Sequence, residues 1–272
     1  MKQQTVRNFH GGNGQRGATL IVVLMILLII TVVGVMAIRV AIVSLGVATN
    51  SQVDQLNFQS SDTPLVLLSH TDPSTLTSFG NAIGASLRES ESNPGGEYIF
   101  CYKPTSTTVK FAQTVDAALI KAGDDNDANK ESGIADGFCT VDADFGSNRA
   151  AVVTQVAVSI PTDASTDDPG ANLPRDINLS EGAQLPKSMT STQRVRVTTT
   201  AMLPGYSPTS TSTIQENCLS VAHAKISDNL SEELKDKETL ADCLKTNKVP
   251  YSVQVQEFNY LNRLTEVQAP GG

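Results

Sequence analysis

The apolar positions of this chain follow one rule near its start and a different rule afterwards. From Ala18 to Ile38 there is no charged residue; the run is made of Leu, Ile, Val, Met, Ala, Thr and Gly. At about 1.5 Å per residue these 21 residues give roughly 31 Å of helix, about the thickness of a bilayer core. Beyond Arg39 the pattern becomes periodic: Ala41, Leu45, Ala48, Val53 and Leu56 recur at helical spacing, and no proline interrupts before Pro64. This predicts one helix from Ala18 to about Asp62, with Pro64 as its end or a kink, because a proline ring clashes with the preceding turn. A second helix is predicted over Ser74–Arg88, with Leu76, Phe79, Ile83 and Leu87 on one face. Tyr98–Lys103 and Thr107–Ala112 read as short strands around a turn at Pro104. Val152–Ile160, Arg194–Leu203 and Tyr251–Phe258 alternate as half-buried strands do. Residues 161–193 and 204–213, dense in Pro, Ser and Thr, read as solvated loops. Leu230, Leu234, Leu240 and Leu244 suit an amphipathic helix. The expected class is α+β, a long helix laid on an antiparallel sheet.

The residues at the head of the apolar run carry more information than the run itself. Arg16-Gly17-Ala18-Thr19-Leu20-Ile21 puts a small-residue junction before the apolar stretch, whereas a secretory signal is cut after its own, shorter one. This junction followed by a Val/Leu/Ile helix resembles the type III signal of type IV prepilins and pseudopilins. The resemblance is specific over residues 14–39. It implies cleavage by a prepilin peptidase after Gly17 and N-methylation of the exposed Ala18. It further implies a pilin-like layout: leader 1–17, membrane and filament-core half-helix 18–39, soluble half-helix 40–71, and a periplasmic head over 72–272. One position departs from the common pattern. The fifth residue of the mature chain, usually Glu, is Val22. In filaments of this kind that Glu is thought to pair with the terminal ammonium of the adjacent, earlier-loaded subunit. A subunit with Val there cannot neutralise a neighbour above it, yet its own ammonium at Ala18 still attracts the next subunit. Such a subunit fits at the filament tip, the pattern of PilX-type minor pilins and of the GspK-type pseudopilins they resemble.

Three readings of function follow. The first is a non-enzymatic minor pilin that primes assembly of a type IV pilus and sits at or near its tip. Its partners would be other minor pilins, the major pilin and a tip adhesin. The second is a GspK-like tip pseudopilin of a type II secretion system. The third, from another class, is a periplasmic binding domain whose single span is only an anchor, with Val22 one more apolar residue in it.

Charge sets the orientation. Lys2, Arg7 and Arg16 precede the span without an acidic residue, and after it Arg39 is the only basic residue before Arg88. The positive-inside rule leaves the N-terminus in the cytoplasm, the span in the inner membrane and the rest outside. The whole chain has 20 basic and 28 acidic residues. All the acidic ones lie from Asp54 onward, so removal of residues 1–17 leaves 17 basic residues and a net charge near −11. An acidic exported part argues against nucleic acid as partner, since phosphate binding needs a basic footprint.

Cys101, Cys139, Cys218 and Cys243 all fall in the exported part, where an even count reads as two disulfides. Of three connectivities, Cys101–Cys139 with Cys218–Cys243 is favoured because each closes a local segment. A zinc site has no support, as there is no C-x-x-C and His is scarce. The stretch Asp125 to Asp136 has the oxygen-donor spacing of a calcium loop. Asp125, Asp127, Asn129 and Asp136 stand at positions 1, 3, 5 and 12, with the Glu131 carbonyl at position 7. Lys130 in place of the turn glycine and the short Asp136 in place of Glu depart from the pattern, and the competing reading is a solvated acidic loop. Calcium is the one cofactor the sequence suggests. His70 and His223 read as surface or capping residues. Asn178 and Asn229 match the short glycosylation pattern. No nucleophile elbow, H-E-x-x-H or phosphate loop is present, so the sequence offers no enzymatic centre.

Overall fold

The computed structural model describes residues 16–90, 92, 95–105, 111–122, 128–130, 137–146, 150–162, 188–220 and 238–265. They fall into two compact units that divide between Gln52 and Val53. Helix α1 (Arg16–His70) contributes to both.

In the first unit α1 is apolar on every side, and Leu20 through Val47 present exposed large side chains around its whole circumference. Mean hydropathy reaches 3.3 in its most apolar window, which qualifies it by length and composition to cross a membrane. Two of its hydroxyls are satisfied locally: Thr31 Oγ1 donates to the Leu28 carbonyl and Thr49 Oγ1 to the Leu45 carbonyl.

In the second unit α1 buries one stripe. Asn57, Ser61, Leu65 and Leu68 are buried at spacings of four and three, the positions that share one helix face. Pro64 lies inside the helix and is itself buried, so it neither ends α1 nor marks its limit near Asp62. The helix loses one backbone bond there and continues, with Leu65 and Leu68 of the following turn embedded in the core. The helix ends six residues after Pro64, at His70. Asp72 precedes Pro73 and takes φ −57°, ψ 127°, outside the helical region, as a residue before proline tends to do.

Asp72 then caps a short helix α2 (Pro73–Leu76), its carboxylate accepting from the Ser74 amide. The helix expected over Ser74–Arg88 is thereby two. A turn at Thr77–Gly80 separates α2 from α3 (Ala82–Glu89), which starts afresh with Asn81 accepting from the Ile83 amide. Gly84 allows α3 to lie against that turn, since a Cβ there would meet the Ser78 carbonyl at 2.3 Å. Leu76 and Ile83 enter the core as expected. Phe79 does not: it sits on the intervening turn, 84% exposed, beneath the Arg88 guanidinium at 4.4 Å.

The strands are β1 (Glu97–Cys101), β2 (Ala117–Ala122), β3 (Ala128–Lys130), β4 (Val153–Ser159), β5 (Ser188–Met202) and β6 (Tyr251–Thr265). They form one antiparallel sheet in the order β3-β2-β1-β4-β5-β6. Thr107–Ala112 is not a strand where it can be seen: Phe111 and Ala112 form a turn, and 107–110 lie outside the described residues. On one face of the sheet Tyr98, Phe100, Leu119, Val156, Val158, Val195 and Val197 pack with Leu65, Leu68 and Ile83. The other face carries a second layer. There Cys101, Val153 and Met202 meet Val141, Ile214 and Leu244.

Two disulfides hold this second layer, Cys101–Cys139 (S–S 2.08 Å) and Cys218–Cys243 (1.96 Å). Loop-closure arguments give about 3.5–4 kcal/mol for bridges of these spans. Gly137, at φ +62°, brings the chain onto the sheet so closely that a Cβ would lie 2.2 Å from the Ala118 nitrogen. The stretch read as loop over 204–213 opens with a 3-10 turn at Pro204–Tyr206, in which Pro204 is buried, and turns helical again at α4 (Thr211–Cys218), with Ser210 as its cap. Leu240 and Leu244 fall on α5 (Leu240–Thr246), which begins with a reciprocal cap between Thr239 and Asp242. Leu230 and Leu234 lie outside the described residues.

Candidate functional site: the N-terminal helix and its seat on the sheet

Gly17 and Ala18 fall in the first turn of α1, which contains no acidic residue. Val22 follows Ala18 by four residues, one turn along the same face, and is 55% exposed. From Ala18 to Val53 the one charged residue is Arg39. The segment therefore offers no carboxylate to the helix start, and from Ala18 to Ile38 its only polar side chains are the hydroxyls of Thr19 and Thr31. What it offers is apolar area on all sides, which water penalises at roughly 25 cal/mol per Å². Lipid or other apolar helices are the surroundings that suit it.

Within the second unit, α1 is seated by a polar seam that the sequence pattern does not announce. Thr199 Oγ1 on β5 donates to the Ser61 carbonyl at 2.6 Å. Gln254 Nε2 on β6 donates to the Phe58 carbonyl at 3.1 Å and to Ser61 Oγ at 3.0 Å, and Ser61 Oγ also lies 3.2 Å from Ser252 Oγ. Ser61 and Thr199 are fully buried, and Asn57 Oδ1, one turn before Ser61, has no hydrogen-bond partner among the described residues. A Ser four residues after an Asn on a helix stripe was the only trace of this seam in the sequence.

The remaining candidates divide by whether the structure describes them. Asp125, Asp127, Glu131 and Asp136 lie outside the described residues, as do His223, Asn178 and Asn229. Asn129 belongs to β3, paired with Lys121 of β2. Among the described residues no group of three or more His, Cys, Asp or Glu side chains is placed to hold a metal. His70 ends α1, its Nδ1 2.8 Å from the Val66 carbonyl, a capping arrangement. A cleft of about 220 Å³ is lined by Leu67, Phe100, Tyr102, Lys103, Phe111 and Asp116 among others. Its rings meet edge to face, and Lys103 is held by Asp144 at 2.7 Å. Burial pushes the Tyr102 hydroxyl above the usual tyrosine range, away from any role as a base at neutral pH.

Residues 16–65 match the family model described as PilX N-terminal. Neither the comparison with curated proteins nor that with solved structures gave a match. The matched residues contain the junction at Gly17, Val22, the apolar span and the seam residues Asn57 and Ser61. The N-terminal helix is thus similar to the segment that this family model describes, and the match is confined to residues 16–65.

Proposed function

We propose that this chain is a minor pilin that primes assembly of a type IV pilus and stands at or near the filament tip. The family of its N-terminal segment supports a structural role among pilus components. The observation that carries the finer reading is Val22, an uncharged residue one turn from the junction in a helix start without any carboxylate.

In this reading a prepilin peptidase removes residues 1–17, Ala18 becomes the methylated N-terminus, and the apolar span holds the subunit in the inner membrane with its head in the periplasm. Opposite charges 4 Å apart attract by about 4 kcal/mol at an effective dielectric near 20. A Glu at position 22 would gain that attraction by tucking under a neighbour's ammonium. Val22 forgoes it, while the ammonium of Ala18 remains available to the Glu of the following subunit. The chain thus accepts a subunit below and none above. Its head then meets other minor pilins, the major pilin or a tip adhesin.

The test places a Glu where Val22 stands. Filaments from cells carrying the native chain, labelled on the head, are expected to show label at one end, and Val22→Glu is expected to spread label along the shaft or lower filament number. Label distributed evenly with the native chain, or absent from filaments, would overturn the reading. Mass spectrometry of the membrane form should find cleavage after Gly17 and a methylated Ala18.

A further inference from the structure

The two edges of the sheet are built in opposite ways. β3 is three residues long and presents almost no edge. β6 is fifteen residues long, contains neither proline nor lysine, and pairs with β5 in one unbroken register from Met202↔Tyr251 to Ser188↔Thr265. Short strands, prolines, lysines and bulges are the usual means by which an exposed edge is kept from pairing, and β6 has none of them.

Which groups of β6 face outward follows from the ladder. The Leu203 amide donates to the Pro250 carbonyl at 2.9 Å, which fixes 203 and 250 as a hydrogen-bonded pair. In an antiparallel ladder such pairs alternate, so Ser252, Gln254 and Gln256 bond to β5. Between them, Tyr251, Val253, Val255, Glu257 and Asn259 turn their N–H and C=O groups away from β5. On the far side of the sheet the Tyr102 amide donates to the Thr154 carbonyl, and the same alternation carried through β4 and β5 returns this parity. Among the described residues, none of the five has a backbone partner on its outer side.

Part of this edge exposes apolar side chains, and Glu257 and Asn259 continue the same face with polar ones. Val253 and Val255 share one face of β6, 37% and 54% exposed. Next to the other face, the Phe58 carbonyl is held by Gln254 while its ring stays 58% exposed. Backbone donors and acceptors at a two-residue repeat can be satisfied together only by another extended chain. Val253 and Val255 set its side-chain pattern: apolar residues at every second position, next to the two valines.

We propose that the outer edge of β6, over Tyr251–Asn259, is a docking site for an extended strand of another pilus subunit, added as a further strand of this sheet. The choice of another subunit as donor rests on the pilin reading above. The edge itself rests on the ladder.

A photocrosslinking amino acid in place of Val253, in the full chain in cells that assemble filaments, tests it. The control position is Phe79, which is exposed and apolar but lies on the turn between α2 and α3. The expected result is an adduct at 253, absent at 79, whose peptide maps to a segment of alternating apolar and polar residues in another pilus subunit. Val255→Pro removes one outward N–H and leaves the bonds to β5 intact. It is expected to lower the adduct about tenfold without moving the melting temperature of the detergent-solubilised chain. Gln254→Pro, which removes an inward N–H, should lower that melting temperature. No adduct above the control, an adduct unchanged by Val255→Pro, or one to a second copy of this chain or to a protein outside the pilus would overturn the proposal. Labelled filaments that contain the chain without a 253 adduct would overturn the edge and leave the pilin reading standing.

Discussion

The two stretches of α1 are the same secondary structure made for different surroundings. Before Gln52 the helix is apolar on all sides and has no packed stripe within its own unit. After Val53 it is polar on most of its surface and buries Leu65 and Leu68 together with Asn57 and Ser61. The difference shows that helix propensity is not what sets the length of α1. The first stretch needs an apolar solvent on every side, and the second needs one sheet beneath it. A helix satisfied by its surroundings in both places can carry even a buried proline.

That contrast can be broken at either end. The largest effect is expected from Leu65→Ala, which empties a core position between α1, α3 and the sheet and should cost about 3–4 kcal/mol, read as a lower melting temperature of the full chain in detergent. Leu27→Ala in the first stretch should leave that melting temperature unmoved. Leu27→Asp should instead penalise membrane insertion by roughly 3 kcal/mol, seen as a smaller membrane-integrated fraction. Equal effects of Leu27→Ala and Leu65→Ala on melting would erase the distinction between the two stretches.

Smaller changes sharpen it. Thr199→Val removes the hydroxyl that donates to the Ser61 carbonyl and should cost about 1 kcal/mol of head stability. The smallest effect lies away from α1. Asp242, held below the usual carboxylate range by the Thr239 hydroxyl and amide, stabilises α5 above the ordinary Asp range. As pH falls through its lowered value that contribution is lost. In Thr239→Ala a nuclear magnetic resonance titration should show the Asp242 pKa moved upward, toward the ordinary range, with the residue 239 amide still holding it down in part.

How much of this was readable in the residues depended on whether a signal was local. The span, the junction at Gly17 and the alternation of β4, β5 and β6 are carried by neighbours in sequence and could be read directly. β5 and β6 run longer than expected because each extends along the other past the end of β4, a pairing no window of one strand reveals. β2 was missed because Ala117-Ala118-Leu119-Ile120-Lys121-Ala122 is rich in alanine, a poor strand former; its neighbours on both sides and Phe138 above it supply what propensity does not. Pro64 reads as the helix end or a kink because its local cost is plain, while the burial that lets the helix run on past it is remote in sequence. Phe79 was placed in the core by spacing alone, but Gly80 and Asn81 restart the helix out of phase. At the candidate site Val22 was legible at once, whereas the Ser61–Thr199–Gln254 seam joins residues more than 130 positions apart.

The disulfides both lie in the cover over the face of the sheet opposite α1, and neither touches the seam that seats the helix. Reduction should therefore act as a selective solvent of one side. In the reduced chain the cover over Ile214, Leu244 and Val153 is expected to loosen before the seat of α1 does. The cover over that face and the seat of α1 are thus fastened by different means, one by covalent bridges and the other by hydrogen bonds.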